Sequence, residues 1–537
     1  MQIMADEQRT QEFTLSNRLY TLAKTMIVLY RILLLLMMAQ VSSAQYTTVW
    51  VQTECDSPVT GYSRMEDILV DDAGRVIVTG TIDTALGIGP AYMAYDSLGN
   101  LLWKKSQNGL NFYFSYRLLE NPSGSFVFGG EYEDNTGTNN MIYTELDPTG
   151  ATLTNVIYNA PGNNTGDDLD DMAMDSRGTI YLSGHIQNNS NFYAAIIRYD
   201  SAGVYRWMSY HPLLSGWNSA TGRCIETVGD TGVYQLIFNT TGYGSLAYCD
   251  SSGNYQWQKT LPISLAEYHT QLIVDKDGNA IVGGDMGQNG GIMKLNGAGD
   301  SLWSAVVSYP GLSGILTTVI NLQTDAAGNI YVLATNGGNP AYSIVAAFNS
   351  SGSQLWADTL RGYFTLYTIN REFFHLEDGI LTIGTNRGTP WLYRYTTSGQ
   401  RITDAALVVP GVTAPEISAI DYHNGDLYIT GTGYAGFNLR QGYTARLTGL
   451  TTGITEIQEY KTLQLYPNPA DHLLNIGSLP NTASALSMFD IAGRCVLQQN
   501  VSADHPQVNI ERLNEGMYVI KVESRDGLLT GKVIVNR

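Results

Sequence analysis

The chain has 537 residues and a formal net charge of −19, from 49 acidic and 30 basic side chains. No cluster of Lys and Arg supplies the basic face that nucleic-acid binding requires, so the sequence predicts no nucleic-acid partner. With 56 Gly, 35 Tyr and only 16 Pro, the composition is typical of many short strands joined by tight turns. The length is that of several domains or of one large repeat array.

The N-terminal segment has the pattern of a secretory signal peptide. An apolar run, Ile32–Met38, follows a basic residue, and three small residues ending at Ala44 precede Gln45. The run is too short to cross a bilayer core of about 30 Å, and the rest of the sequence predicts no transmembrane anchor. We therefore expect residues 1–44 to be a leader that is cleaved between Ala44 and Gln45, with Met26 as an alternative start.

After the leader, two short sequence elements alternate over about residues 46–455. The first is a glycine turn followed by alternating apolar residues, as in DDAGRVIVTG at 71–80. Its turn glycines recur at intervals of 46 to 54 residues: Gly74, Gly124, Gly178, Gly232, Gly278, Gly328, Gly379 and Gly425. The second element reads DSLGNLLW at 96–103, and its copies end at Trp103, Trp207, Trp257, Trp303 and Trp356. Degenerate copies lie near 147–153, 396–402 and 447–454.

Each element predicts a hairpin, because Asp or Asn bonds the turn backbone and Gly accepts a positive φ. Two hairpins make four strands in each repeat of about 50 residues. Such sheets bury both faces by packing around an axis, with Trp as an apolar plug between them. The two elements resemble bacterial β-propeller repeats with the patterns D-x-x-G-N-x-Y-V-T-G and D-x-x-G-x-x-x-W. This resemblance, over about residues 46–455, implies a fold and carries no activity.

Eight copies of each element predict an all-β, eight-bladed β-propeller over residues 45–455, with seven blades as the alternative. Tyr46–Val51 precedes the first repeat and looks like an isolated last strand, whereas the eighth second element has no Trp. We expect this N-terminal strand to complete the last blade and to close the ring.

The last 75 residues carry motifs of their own: YPNP at 466–469, DIAGR at 490–494, LNEGMYVIKV at 513–522 and GKVIV at 531–535. In this order they resemble the type A C-terminal sorting domain of the type IX secretion system of Bacteroidetes. The resemblance implies a small Ig-like β-sandwich over 463–537, a linker at 456–462 and the secretion machinery as partner. It places the protein at the cell surface or in the medium. The motif residues are Pro467, Asn468, Pro469, Asp490, Gly493, Arg494, Gly516, Tyr518, Lys521 and Lys532.

The residue types that carry chemistry form no recognisable catalytic or metal-binding pattern, so the sequence predicts no catalytic residue, metal or cofactor. The acidic run Asp167–Asp171 is interpreted as a solvated loop before a strand, with Ca²⁺ binding as the alternative. Cys224 and Cys249 fall on the first and third strands of one repeat. Those strands lie about 9.6 Å apart, which is too far for a disulfide.

Four-stranded repeats place both glycine turns on one face and all other connections on the opposite face, where the longer loops predict ligand binding. Aromatic residues in the connections between repeats suit glycan or peptide contact, although wedging between blades is the alternative. These candidates are Tyr158, Tyr210, Trp217, Tyr268, Tyr309 and Tyr363.

Together these features predict an exported, non-catalytic binding or adhesion protein with an unknown extracellular glycan or protein ligand. One alternative is a propeller-based polysaccharide lyase or hydrolase, and another is a structural surface-layer component. A deep polar pocket with paired carboxylates on the loop face is the feature that favours an enzyme.

Overall fold

The computed structural model describes residues 46–536, apart from short gaps, in two compact units that lie before and after residue 450 in the sequence. The gaps are residues 55–62, 85–86, 107–111, 135–136, 161–165, 189–190, 212, 240–241, 265–270, 287–288, 310–317, 337–341, 362–372, 377–378, 387–388, 436–438, 449–460, 478–483, 491–494, 503–505 and 525–526. The described part is all-β, as the sequence predicts, and contains no helix. It accordingly offers no helix long and apolar enough to span a membrane.

The first unit consists of sets of four antiparallel strands, here named A to D in each set, after an N-terminal strand β1 (Thr47–Glu54). Sets 1 and 2 are β2 (Arg64–Val70), β3 (Val76–Thr84), β4 (Gly87–Tyr95), β5 (Leu101–Ser106), β6 (Phe112–Glu120), β7 (Phe126–Glu133), β8 (Asn139–Leu146) and β9 (Thr152–Tyr158). Sets 3 and 4 are β10 (Asp168–Met174), β11 (Ile180–Asn188), β12 (Asn191–Tyr199), β13 (Tyr205–Tyr210), β14 (Ala220–Thr227), β15 (Gly232–Asn239), β16 (Tyr243–Asp250) and β17 (Tyr255–Ser264).

Sets 5 and 6 are β18 (Gln271–Val274), β19 (Ala280–Asp285), β20 (Gly290–Leu295), β21 (Ser301–Val306), β22 (Thr318–Thr324), β23 (Ile330–Asn336), β24 (Tyr342–Phe348) and β25 (Gln354–Arg361). Set 7 is β26 (Phe373–Leu376), β27 (Gly379–Asn386), β28 (Thr389–Thr396) and β29 (Arg401–Ala406), and set 8 begins with β30 (Thr413–His423), β31 (Asp426–Ala435) and β32 (Leu439–Thr448). Sets 4 and 5 are joined into one eight-stranded sheet by a single residue pair, Ser264 with Asp285.

The turns have the chemistry that the repeats predict. In the C–D turn of set 1, Asp96 Oδ1 accepts the backbone N–H groups of Leu98 at 2.9 Å and of Asn100 at 2.8 Å, and Gly99 has φ +84°. The sequence places the A–B turn glycine of set 4 at Gly232, which is wrong. The residue with positive φ there is Gly229, and Gly232 is the first residue of β15.

Tryptophan side chains connect consecutive sets, as predicted. Trp103 at the D strand of set 1 donates its Nε1–H to the carbonyl of Pro148 in set 2 at 3.1 Å. Its ring lies against Gly150, where a Cβ atom would come within 2.8 Å of the indole. The turn glycine is therefore required twice, once for its positive φ and once for the neighbouring ring. In set 2 the corresponding contact is made by Thr154, which lies against Gly203 of set 3.

The N-terminal strand completes set 8, which confirms the prediction for Tyr46–Val51. Strand β1 pairs antiparallel with β32 from Thr47 to Glu54 and takes the place of strand D. Trp50 repeats the contact of the other tryptophans: its Nε1–H donates to the carbonyl of Ser97 at 3.2 Å, and its ring lies against Gly99 of set 1.

The A strands of neighbouring sets contact one another in chain order, β2, β6, β10, β14, β18, β22, β26 and β30, and β30 contacts β2 again. Carboxylates on the A strands strengthen these contacts by accepting backbone N–H groups of the next set. Asp67 Oδ2 accepts the backbone N–H of Leu118 in the next set at 3.0 Å. Asp421 Oδ2 accepts the N–H of Val70 at 2.6 Å across the step from set 8 to set 1.

Cys224 lies on strand A of set 4 and Cys249 on strand C, with β15 between them. Both cysteines are free. The prediction that this pair forms no disulfide is therefore confirmed.

The second unit has a five-stranded and a three-stranded sheet around one core. The five-stranded sheet has the order β33 (Lys461–Thr462), β40 (Gly527–Val535), β39 (Gly516–Ser524), β36 (Ser484–Phe489) and β37 (Cys495–Val501). The three-stranded sheet consists of β34 (Gln464–Tyr466), β35 (Leu473–Gly477) and β38 (Gln507–Asn509).

Candidate functional site

The predicted aromatic candidates do not form one surface. Tyr158 is buried, with 8% of its surface exposed, and stacks on Tyr205 with ring centroids 6.1 Å apart, so it packs as the wedge alternative describes. Tyr210 is 45% exposed at the end of strand D of set 3. Trp217 and Tyr309 are half-buried and pack against hydrophobic clusters. Tyr268 and Tyr363 lie outside the described residues.

On the loop face, opposite the glycine turns, sets 2 to 4 form a pocket of about 550 Å³. Residues at the starts of A and C strands and at the ends of B strands form its wall. These strand ends border the loops that the sequence predicts to bind ligand. Set 3 supplies Asp168, Asp170, His185 and Phe192, and set 4 supplies Thr221 and Arg223. Set 2 contributes Glu131 and Asn139.

A chain of polar contacts runs along this wall. Thr221 Oγ1 donates to Asp170 Oδ2 at 2.7 Å, and Asp170 Oδ1 accepts a hydrogen bond from Arg223. His185 Nδ1 lies 3.3 Å from Thr221 Oγ1, and its Nε2 lies 3.6 Å from Asp168 Oδ2. Since the Thr221 hydroxyl already donates to Asp170, a hydrogen on His185 Nδ1 extends the chain to His185, whereas the 3.6 Å separation between Nε2 and Asp168 is too long for a hydrogen bond.

Burial raises the pKa of Asp170, although the Arg223 guanidinium and the Thr221 hydroxyl act in the opposite direction. Removing Arg223 would therefore leave a poorly solvated carboxylate without its main counter-charge. Asp168 lies nearer the opening, with 33% of its side chain exposed, and accepts the amide N–H of Asn139 at 3.0 Å. The wall thus has an inner ion pair and an outer carboxylate that faces the pocket.

The acidic run Asp167–Asp171 is not the solvated loop that its sequence suggests. Strand β10 begins at Asp168, and Asp167, which is fully buried, accepts the N–H of Ala160 at 2.7 Å. Asp171 accepts hydrogen bonds from Arg117 Nε at 2.6 Å and from the backbone N–H of Ile225 at 3.0 Å. These carboxylates hold set 3 to its neighbours, and no group of His, Cys, Asp and Glu side chains suited to a metal occurs in the described part of the chain.

Sequence reasoning missed Phe192 and His185, because it looked for aromatic residues only in the connections between repeats. Phe192 is 37% exposed at the start of strand C of set 3, and its ring meets His185 edge-on at 4.7 Å. The available signal was an aromatic residue directly after the polar B–C loop Asn188–Asn191.

A second cavity, of about 670 Å³, lies between the A strands of sets 1 to 6. The ion pair between Arg117 and Asp171 and the side chain of Cys224 line it. Glu120, Asp170 and Glu226 add further carboxylates to its lining, and Asp170 and Arg223 border both cavities.

Two motif residues of the second unit, Asn468 and Tyr518, make hydrogen bonds that stabilise it. Asn468 Nδ2 donates to the carbonyl of Lys532 and its Oδ1 accepts the N–H of Ile534, both at 2.9 Å. Tyr518 OH donates to the carbonyl of Asn514 at 2.8 Å, beside Gly516 with φ +154°. Pro467, Pro469 and Lys532 are exposed, Asp490 is half-buried, and Lys521 lies in β39. Gly493 and Arg494 lie outside the described residues.

Residues 464–536 match the family described as a secretion system C-terminal sorting domain. This domain marks the chain for export through the type IX secretion system to the cell surface or the medium. It implies an interaction with the secretion machinery.

Among solved structures, the chain is similar to an inactive variant of virginiamycin B lyase from Staphylococcus aureus, with 10% identity, 75% of this chain and 99% of that chain covered, and a TM-score of 0.40. It is similar to the polysaccharide lyase Uly1, with 11% identity, 71% and 89% coverage and a TM-score of 0.41. A protein of unknown function from Bacteroides caccae shows 12% identity, 50% and 90% coverage and a TM-score of 0.33. The comparison with curated proteins finds no match.

Proposed function

We propose that residues 45–455 form an eight-bladed β-propeller that binds an extracellular glycan or protein without catalysis. In this proposal residues 1–44 are a cleaved signal peptide, 456–462 a linker and 463–537 an Ig-like sorting domain of Bacteroidetes type. Support for eight blades comes from the cyclic contacts of the A strands. The pairing of β1 with β32 gives the last set its fourth strand.

The observation that carries the binding function is the pocket on the loop face. An exposed aromatic ring, a partly exposed carboxylate and amide groups converge there, and such a combination orients a small polar ligand. Asp170 is engaged by Arg223 and Thr221. A carboxylate held in this way is poorly placed to exchange protons with a substrate, which favours binding over catalysis.

The test is a glycan-array and protein-ligand screen of the secreted, full mature chain, followed by Phe192→Ala. We expect the variant to lose at least tenfold in affinity for the ligand found, because Phe192 is the more exposed of the two phenylalanines that line the pocket. Leu302→Ala, on an exposed outer strand of set 5, is the matched control. Equal affinity in both variants would contradict the location of the site.

One observation favours the second candidate, a polysaccharide lyase or hydrolase. His185 lies beside both Asp168 and Thr221 in the same pocket, and histidine is a common general base. Incubation with polysaccharides, monitored for unsaturated or reducing sugar ends, distinguishes the two candidates. Turnover that disappears in His185→Ala would establish the enzyme.

A further inference from the structure

We propose that the pocket on the loop face takes an uncharged saccharide unit, a neutral hexose or N-acetylhexosamine, and rejects uronate and sulfated glycans. This inference rests on the proposed binding function and specifies its ligand class. It follows from the charge, the open acceptor capacity and the size of the pocket.

The charge of the wall disfavours an anionic ligand. Three carboxylates, those of Glu131, Asp168 and Asp170, line the pocket, whereas Arg223 is the one guanidinium among the described lining residues. The formal balance of these four groups is three negative charges against one positive charge, which is −2. Arg223 Nη1 is bonded to Asp170, so the positive charge of this arginine is already matched by a carboxylate before an anionic ligand enters.

The remaining capacity of the wall matches sugar hydroxyl groups. A carboxylate accepts about four hydrogen bonds, and Asp168 has the Asn139 amide and His185 as its contacts while a third of its side chain is exposed. A neutral sugar brings hydroxyl donors to these oxygens. The apolar face of its ring packs on Phe192, as sugar C–H groups do on aromatic rings.

The size of the site favours a saccharide unit over a protein partner. A volume of about 550 Å³ lies within the usual range of pockets for small ligands, roughly 300–1,000 Å³. A stable protein interface instead buries about 800 Å² on each partner. We therefore infer that one or two sugar units enter the pocket.

The experiment measures binding of the full mature protein to matched neutral, uronate and sulfated oligosaccharides by calorimetry. At low salt we expect the anionic forms to bind at least tenfold more weakly, because like charges within the pocket repel them. Phe192→Ala should weaken neutral binding at least tenfold, and Asp168→Asn should narrow the difference between neutral and anionic ligands. Asp277→Asn, which changes the same charge at a 63% exposed side chain in set 5, should change neither value.

Each result has a separate meaning. Equal or tighter binding of the uronate or sulfated ligand to the wild type overturns the inference but leaves the binding function standing. Neutral binding that Phe192→Ala does not affect also overturns it, because the site then lies elsewhere. Binding of proteins alone overturns the saccharide class, and binding of nothing overturns the proposed function itself. Unchanged melting temperatures of the variants show that the losses do not come from unfolding.

Discussion

Replacing Trp50 with alanine tests whether the N-terminal strand holds the array closed. Trp50 is half-buried on β1, donates its Nε1–H to Ser97 and lies against Gly99 of set 1. Its ring also approaches Tyr95 at 6.0 Å and Tyr428 at 6.4 Å, so it joins the last set to the first. Removal of the ring leaves a gap at a contact between two sets that are far apart in sequence.

Trp→Ala substitutions in protein cores cost about 3–5 kcal/mol. Since Trp50 is half-buried and its hydrogen bond is exposed, we expect about 2–3 kcal/mol. Unfolding entropy is about 2.1 cal/mol/K per residue, so an array of roughly 400 residues has about 0.8 kcal/mol/K. The expected fall in melting temperature is therefore about 3 °C.

The assay is thermal unfolding of the mature protein followed by circular dichroism, with two controls. Trp103→Ala changes the equivalent contact between sets 1 and 2 and should lower the melting temperature by a similar amount. Val49→Ala, at a 46% exposed position of the same strand, should have almost no effect. If Trp103→Ala lowers the melting temperature and Trp50→Ala does not, the proposal that β1 closes the array is wrong.

Four further outcomes are expected. Burial raises the pKa of Glu66 to about 7. Glu66 therefore contributes fully to the free energy of unfolding below about pH 4.5, and this contribution is lost as the pH rises through 7. Glu66→Gln should remove roughly 3 kcal/mol of the pH dependence of the free energy of unfolding, measured by denaturant titrations at several pH values. Mass spectrometry of unreduced, alkylated protein should find Cys224 and Cys249 as separate free thiols, whereas a peptide linking them contradicts the strand order. Deletion of 463–537 should leave the protein in the periplasm by cell fractionation, and normal surface exposure would contradict its sorting role. N-terminal sequencing of the secreted protein should begin at Gln45, and a retained leader would count against signal cleavage.

Local regularities of the chain were predictable because they repeat. The turn formed by Asp96 and Gly99 depends on side chains within five residues, and several copies of the same pattern agree. The role of Trp103 also follows from its repetition, because a large apolar residue that recurs at one position in most sets needs a partner in the next set. The error at Gly232 arose where set 4 has two nearby glycines and the pattern alone does not say which one takes the positive φ.

The candidate site was harder to predict because its members come from different repeats. His185 and Thr221 are 36 residues apart and meet only when set 3 packs on set 4. The aromatic residues chosen from the sequence included Tyr158, which the packing buries. Phe192 has the exposure expected of a ligand contact, but it lies at the start of a strand rather than in a connection between repeats.

The sequence by itself determined the all-β class, the four-stranded repeat, the N-terminal strand that completes the last set and the C-terminal sorting domain. These features depend on short-range periodicity and on sequence motifs, and the repeat motifs occur several times along the chain. Tertiary structure alone decided the partners of Asp167–Asp171 and the position of the pocket. A carboxylate has the same sequence signature in a solvated loop and in a buried strand, and only the packing of neighbouring sets supplies its donors and determines whether it is exposed.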